Sequence, residues 1–225
     1  MEPILEHPWE ISPEEAILIQ QRLREFVIIE DQLGEILSIA GADVSYDPSR
    51  QEARGVVTIL SYPNLELVVY VTAITPSSFP YIPGLLSFRE IPPLLTCFKK
   101  LKYHPDLILC DGHGLAHPRR FGLACHLGVL FDIPSMGVAK RPLLGEHKTL
   151  PEVRGAWEPV IDEGEIIGVA MRSRTNNRPI YISIGHRISL ATSIEWVMNC
   201  LTQYRLPEPI RWADRLSKTN TIPNA

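Results

Sequence analysis

Along the chain, the spacing of apolar positions switches between helical and alternating periods, and the switches mark out its elements. Ser12-Pro13-Glu14-Glu15 supplies an N-cap serine, a proline at the first helical position and a capping-box glutamate. Ala16, Ile19, Leu23 and Val27 then recur at helical spacing, which predicts a first helix over about 12–30. Three β-rich stretches at about 36–46, 54–61 and 65–74 are separated by Asp47-Pro48-Ser49 and Tyr62-Pro63-Asn64, turn chemistry that predicts an antiparallel meander. Beyond Thr75-Pro76-Ser77-Ser78 the spacing is helical on both sides of Ile91-Pro92-Pro93, where the prolines are expected to break or kink the helix. A short apolar strand at 107–110, an amphipathic stretch at 121–131 and an apolar run at 134–139 read as a βαβ unit, and 165–172 with 179–184 as a second hairpin. Ser189 opens a helix whose Leu190, Ile194, Val197 and Leu201 share one face. Pro207-Glu208-Pro209 introduces a last short helix carrying Asp214, and 217–225 reads as a frayed tail. Three antiparallel strands followed by parallel ones describe an α/β fold with a mixed sheet flanked by helices.

Composition narrows the class. With 225 residues and 45% hydrophobic content, 1–225 is expected to bury one core as a single domain. No apolar run approaches the roughly 18 residues of a membrane span, and the first ten residues carry acids rather than a basic leader, so a soluble, cytoplasmic protein is expected. Cys97, Cys110, Cys125 and Cys200 are widely spaced within apolar segments, which suggests neither a zinc pattern nor a disulfide framework. A formal net charge of -4 gives no global attraction to nucleic acid, so such binding must rest on local basic patches such as Arg119-Arg120 or Lys140-Arg141.

The candidate chemistry is acidic. Asp43 interrupts an apolar strand, where a carboxylate is either an exposed strand-end acid or one that is paired or metal-bound. Asp111 follows the 107–110 strand at its carboxyl end and opens a glycine-rich loop, the edge at which α/β sheets present ligands. Two such strands side by side would bring like charges together and call for a cation, and hard oxygen donors point to Mg²⁺ or Mn²⁺. Glu90 and Asp214 lie on expected helices, where acids are more often solvated. His113 and His117 have the spacing of a helical zinc pair, but the glycines and Pro118 around them argue against a helix. Neither a GxGxxG nor a Gly-Lys-Ser/Thr run occurs, so no organic cofactor is expected. Pro80-Tyr81-Ile82-Pro83 is a stiff aromatic loop, either a packed connection or a wedge able to enter a base step.

Five segments together carry a resemblance: Gly41-Ala42-Asp43-Val44-Ser45, the run from Phe79 to Glu90, the run from Asp111 to Arg119, Gly137-Val138-Ala139-Lys140, and Pro207-Glu208-Pro209-Ile210-Arg211. In this order they resemble the endonuclease V family, deaminated-base repair nucleases with a ribonuclease H-like fold. The resemblance implies that Asp43 and Asp111 hold a catalytic Mg²⁺, for which Mn²⁺ can substitute, with Glu90 and Asp214 completing the acidic centre. It implies a strand-separating wedge in Pro80, Tyr81, Ile82 and Pro83, and a pocket for the flipped base at Gly84, Leu86, Gly112 and Gly122. His117 and Lys140 match positions near the scissile phosphate, implying phosphate contact or proton management. The implied activity is cleavage of DNA at the second phosphodiester bond 3′ to deoxyinosine by a monomer. The rivals are cleavage of inosine-containing RNA, a non-catalytic nucleic-acid binder, and a hydrolase of small phosphate esters.

Overall fold

A computed structural model describes residues 1–219. Its first helix, α1 (Pro13–Arg24), starts at the expected capping box: Glu15 N–H donates to Ser12 Oγ at 3.2 Å and Ser12 N–H to Glu15 Oε2 at 2.8 Å. It ends earlier than 30. The β-branched run Val27-Ile28-Ile29 leaves the helix for an extended path, where Arg187 N–H donates to the Ile28 carbonyl at 2.7 Å.

The meander is β1 (Ser38–Asp47), β2 (Glu52–Ser61) and β3 (Leu67–Pro76), followed by α2 (Leu86–Lys100). That helix runs unbroken through Pro92 and Pro93, against expectation. Proline at these positions removes the donors to the Phe88 and Arg89 carbonyls. Packing compensates: Ile91, Leu94, Cys97 and Phe98 are fully buried, and Gly55 of β2 leaves room for the Pro93 turn, which a Cβ there would meet at 2.8 Å.

The βαβ unit is β4 (Leu107–Cys110), α3 (Leu123–Phe131) and β5 (Ser135–Ala139), with β4 parallel to both β1 and β5. The strands β7 (Glu165–Met171) and β8 (Ile180–His186) form the second hairpin, and an additional edge strand, β6 (Trp157–Asp162), pairs with β7. Together they make one eight-stranded mixed sheet in the order β3-β2-β1-β4-β5-β8-β7-β6. Two further helices, α4 (Leu190–Asn199) and α5 (Glu208–Thr219), complete it. Residues 217–219 are therefore helical rather than frayed, and 220–225 of the expected tail lie outside the described residues.

Strand periodicity divides the core. Ile108 and Cys110 pack with α2 and α3, while Leu107 and Leu109 face the cluster holding Val197 of α4 and Ile210 of α5. Ile39, Gly41 and Asp43 share the latter parity on β1. At Gly41 the two elements nearly touch: a Cβ there would lie 1.9 Å from the Pro209 carbonyl oxygen. That approach lays α5 along β1 and sets which of its residues meet Asp43.

Candidate active site

The carboxyl end of β4 lies beside the middle of β1, since Ala42 pairs with Cys110 and Asp111 N–H donates to the Ala42 carbonyl at 2.9 Å. Parallel pairing thus makes neighbours of Asp43 and Asp111, and α5 brings Asp214 to them. One oxygen from each of the three acids lies within 4.8 Å of the others. Lys140, just past β5, bridges two of them: its Nζ donates to Asp111 Oδ2 and, at 2.5 Å, to Asp214 Oδ1. Lys218 donates to the same Asp214 oxygen at 2.8 Å.

Asp43 accepts a bond from neither lysine and feels Lys140 only through its field. It is buried, and its carboxyl is pushed up to about 7 by desolvation first and then by the charge of Asp111, against the hydrogen bond from Ser217. Asp214 moves the other way, because the hydrogen bonds from Lys140 and Lys218 outweigh the desolvation that opposes them. Glu90 feels the same cluster from α2: burial, then Asp43 and Asp111, hold its carboxyl well above the usual range. Three convergent carboxylates with one left short of positive charge fit a hard divalent cation. Thiol or imidazole donors are absent from this set.

In the sequence Ser217 opens the polar stretch that reads as a tail, which hides its place beside Asp43. Its Oγ–H donates to Asp43 Oδ2 at 2.6 Å, and its own carbonyl accepts from Ser45 Oγ at 2.6 Å. It is 2% exposed. The helical spacing from Asp214 to Ser217 was the available signal, since residues three apart share a helix face.

A second feature adjoins the first through Gly112. A cavity of about 110 Å³ is lined by Tyr81, Ile82, Pro83, Gly84, Leu86, Gly112, His117 and Gly122, with Ser87, His113, Leu123 and Leu143. Every expected wedge and pocket residue except Pro80 therefore meets in one place. Tyr81 stands 69% exposed at its mouth. Gly84 has φ +80°, a backbone conformation that L side chains rarely adopt.

The structure places His117 in the cavity wall and not among the carboxylates. Its Nε2 donates to the Gly84 carbonyl at 2.9 Å and its Nδ1 accepts from Arg119 N–H at 3.1 Å. With both nitrogens engaged by backbone, burial keeps the ring neutral, its pKa pushed down to about 4. Arg119 and Arg120 are likewise occupied rather than free for phosphate: Arg119 bonds Gln20 and the Gly84 carbonyl, while Arg120 pairs with Asp162 at 2.9 Å and Glu165 at 3.0 Å.

Known proteins share this arrangement of sequence. The profile of the Endonuclease V family matches residues 21–215. The endonuclease V of Rippkaea orientalis is 56% identical over 206 residues, spanning 92% of this chain and 90% of that protein. That of Roseiflexus castenholzii is 51% identical over 223 residues, spanning 99% and 100%. Among solved structures, the endonuclease V of Streptomyces avermitilis superposes with a TM-score of 0.90 at 37% identity, covering 98% of this chain and 97% of its own. The Ciona intestinalis enzyme, solved with a 24mer DNA containing an inosine followed by a ribo-adenosine, superposes with a TM-score of 0.79 at 30% identity, covering 92% and 96%.

Proposed function

The chain belongs to the endonuclease V family, and from that premise we propose that it is a Mg²⁺-dependent repair endonuclease acting on deaminated bases, chiefly deoxyinosine in DNA. It hydrolyses the second phosphodiester bond 3′ to the lesion, leaving a 3′-hydroxyl and a 5′-phosphate, with Mn²⁺ able to substitute. The observation that carries this reading is the junction at Asp111-Gly112, where a three-carboxylate cluster and a cavity with an aromatic mouth adjoin. A base turned out of the helix and held in the cavity would leave its 3′ backbone beside the acids.

Asp43, Asp111 and Asp214 hold the metal in this reading, and Ser217 fixes the orientation of Asp43. A divalent cation bound there supplies a Lewis acid and lowers the pKa of bound water. Glu90 adds negative charge behind the cluster. Lys140 contacts the phosphate, its ammonium already held at the edge of the acids. Tyr81, on a loop stiffened by Pro80 and Pro83, enters the base step and keeps it open. His117 orients the cavity wall. The four free, buried cysteines support a reducing, cytoplasmic setting, and we assign the active form as a monomer. The inosine followed by a ribonucleotide in the Ciona intestinalis complex favours one second reading, cleavage of inosine-containing RNA.

The deciding experiment uses end-labelled duplexes identical except for one deoxyinosine, with an inosine RNA strand alongside. A nick one nucleotide beyond the lesion, lost with EDTA and with Asp43→Ala, is expected. Cleavage of RNA alone would move the assignment to the second reading, and binding of inosine DNA with no cleavage would leave a binding module.

A further inference from the structure

Gln20 is a polar residue on the apolar face of α1, 0% exposed. Its Nε2 donates to two carbonyls, Gly84 at 3.0 Å and Phe121 at 3.2 Å, and its Oε1 accepts from Arg119 Nε at 2.6 Å. Arg119 Nη2 donates to the same Gly84 oxygen at 2.6 Å, and His117 Nε2 at 2.9 Å. One carbonyl thus receives three side-chain donors. Two lone pairs are all a carbonyl offers, so this one is saturated.

The bonds are arranged across the cavity's construction. Gly84 follows the wedge residues Pro80–Pro83, Phe121 precedes Gly122, and both glycines line the cavity. Gln20 therefore ties together two lining segments that are far apart in the chain. Neither Gln20 nor Arg119 lines the cavity, so they reach a bound base only through the backbone they hold. Gly84 is suited to be the point held: a Cβ there would stand 2.8 Å from Arg119 Nη2, in a conformation that already excludes most residues.

Building on the deaminated-base reading, we propose that Gln20 and Arg119 form a clamp that sets the width of the base pocket, making them positioning residues for lesion discrimination. With the clamp in place, the walls are spaced before DNA arrives, and the ordering cost is met on folding rather than on binding. Without it, the Gly84 loop is free to spread and its carbonyl loses donors.

The test measures Kd for inosine and for matched undamaged duplexes in Ca²⁺, alongside thermal melting, for the parent protein, Gln20→Met, Gln20→Glu and Arg119→Ala. Gln20→Met keeps volume and removes every bond. Gln20→Glu keeps an acceptor for Arg119 but sets oxygen against both carbonyls. Each should lower the preference for inosine about tenfold, the factor that 1.4 kcal/mol represents, with Kd for undamaged DNA unchanged. Should the Gln20 variants fail to fold, half-buried Arg119→Ala carries the test. Unchanged preference, or equal weakening on both duplexes, would overturn the clamp and leave the deaminated-base reading standing. A parent protein with no preference for inosine would bring down that reading and the clamp with it.

Discussion

The acid cluster and the Tyr81 cavity share the segment from Asp111 to His117, yet they are built on opposite electrostatic plans. In the cluster, three carboxylates converge, the two lysines bond Asp111 and Asp214, and Asp43 feels Lys140 only at a distance. In the cavity, the Gly84 carbonyl holds more donors than it has lone pairs and His117 is kept neutral with both nitrogens bonded. Buried like charges are unfavourable unless something from outside balances them. A saturated polar wall requires nothing further. On the proposed reading, the ion centre keeps its acids crowded until a cation arrives, whereas the base pocket is finished by folding.

The largest test of that contrast removes an acid. Asp43→Ala and Asp111→Ala should each abolish cleavage of inosine duplexes while leaving the inosine preference in Ca²⁺ binding in place. A variant that nicks at near the parent's rate would take that residue out of the centre.

In metal-free protein the two regions should respond to pH with opposite sign. The folded pKa of His117, pushed down by burial to about 4, lies below its ordinary 6.5. Its contribution to stability is therefore full above 6.5 and is lost as pH falls toward 4, by up to about 3 kcal/mol. Asp43 is pushed up, by burial and then Asp111, from 3.8 to about 7, so its contribution is full below 3.8 and lost as pH rises through 7. Thermal melts in EDTA across roughly pH 4 to 8 check this. His117→Gln should flatten the acidic limb and Asp43→Asn the neutral one, and slopes identical to the parent's would erase the contrast.

Smaller effects sharpen it. Tyr81→Ala should lower the preference for inosine by about 5- to 150-fold, corresponding to the ~1–3 kcal/mol of one base–aromatic stack, with Mn²⁺ affinity unaltered. Equal preference in parent and variant would dismiss the wedge. Ser217→Ala should do the reverse, weakening Mn²⁺ about tenfold in a direct titration while sparing discrimination, because the hydroxyl it removes contacts Asp43 and the Asp214 carbonyl and nothing in the cavity. An unchanged titration would reduce Ser217 to a packing residue.

The sequence exposed what depends on local pattern. The capping box at Ser12, the meander, the βαβ unit and the acids on two strands that lie side by side all follow from period and turn chemistry, and the structure has them. Burial and tertiary contact were less visible. Pro92 and Pro93 read as a break because propensity was weighed without the packing that holds α2 together. The strand β6 was missed: Pro159 interrupts it, and proline is tolerated there because β6 lies at the sheet edge. Gln20 and Ser217 look like ordinary polar helix residues until the fold shows that one reaches Gly84, 64 positions away, and the other Asp43, 174 positions away.

That last separation has a consequence during translation. Asp43 and Asp111 are synthesised well before α5, and Asp214 and Ser217 come only with that helix. Until Gly41 and Pro209 can close on each other, a nascent chain has two of the three clustered acids and not the third. A polypeptide stalled after α4 therefore lacks Asp214 and Ser217, and with them a complete acid cluster.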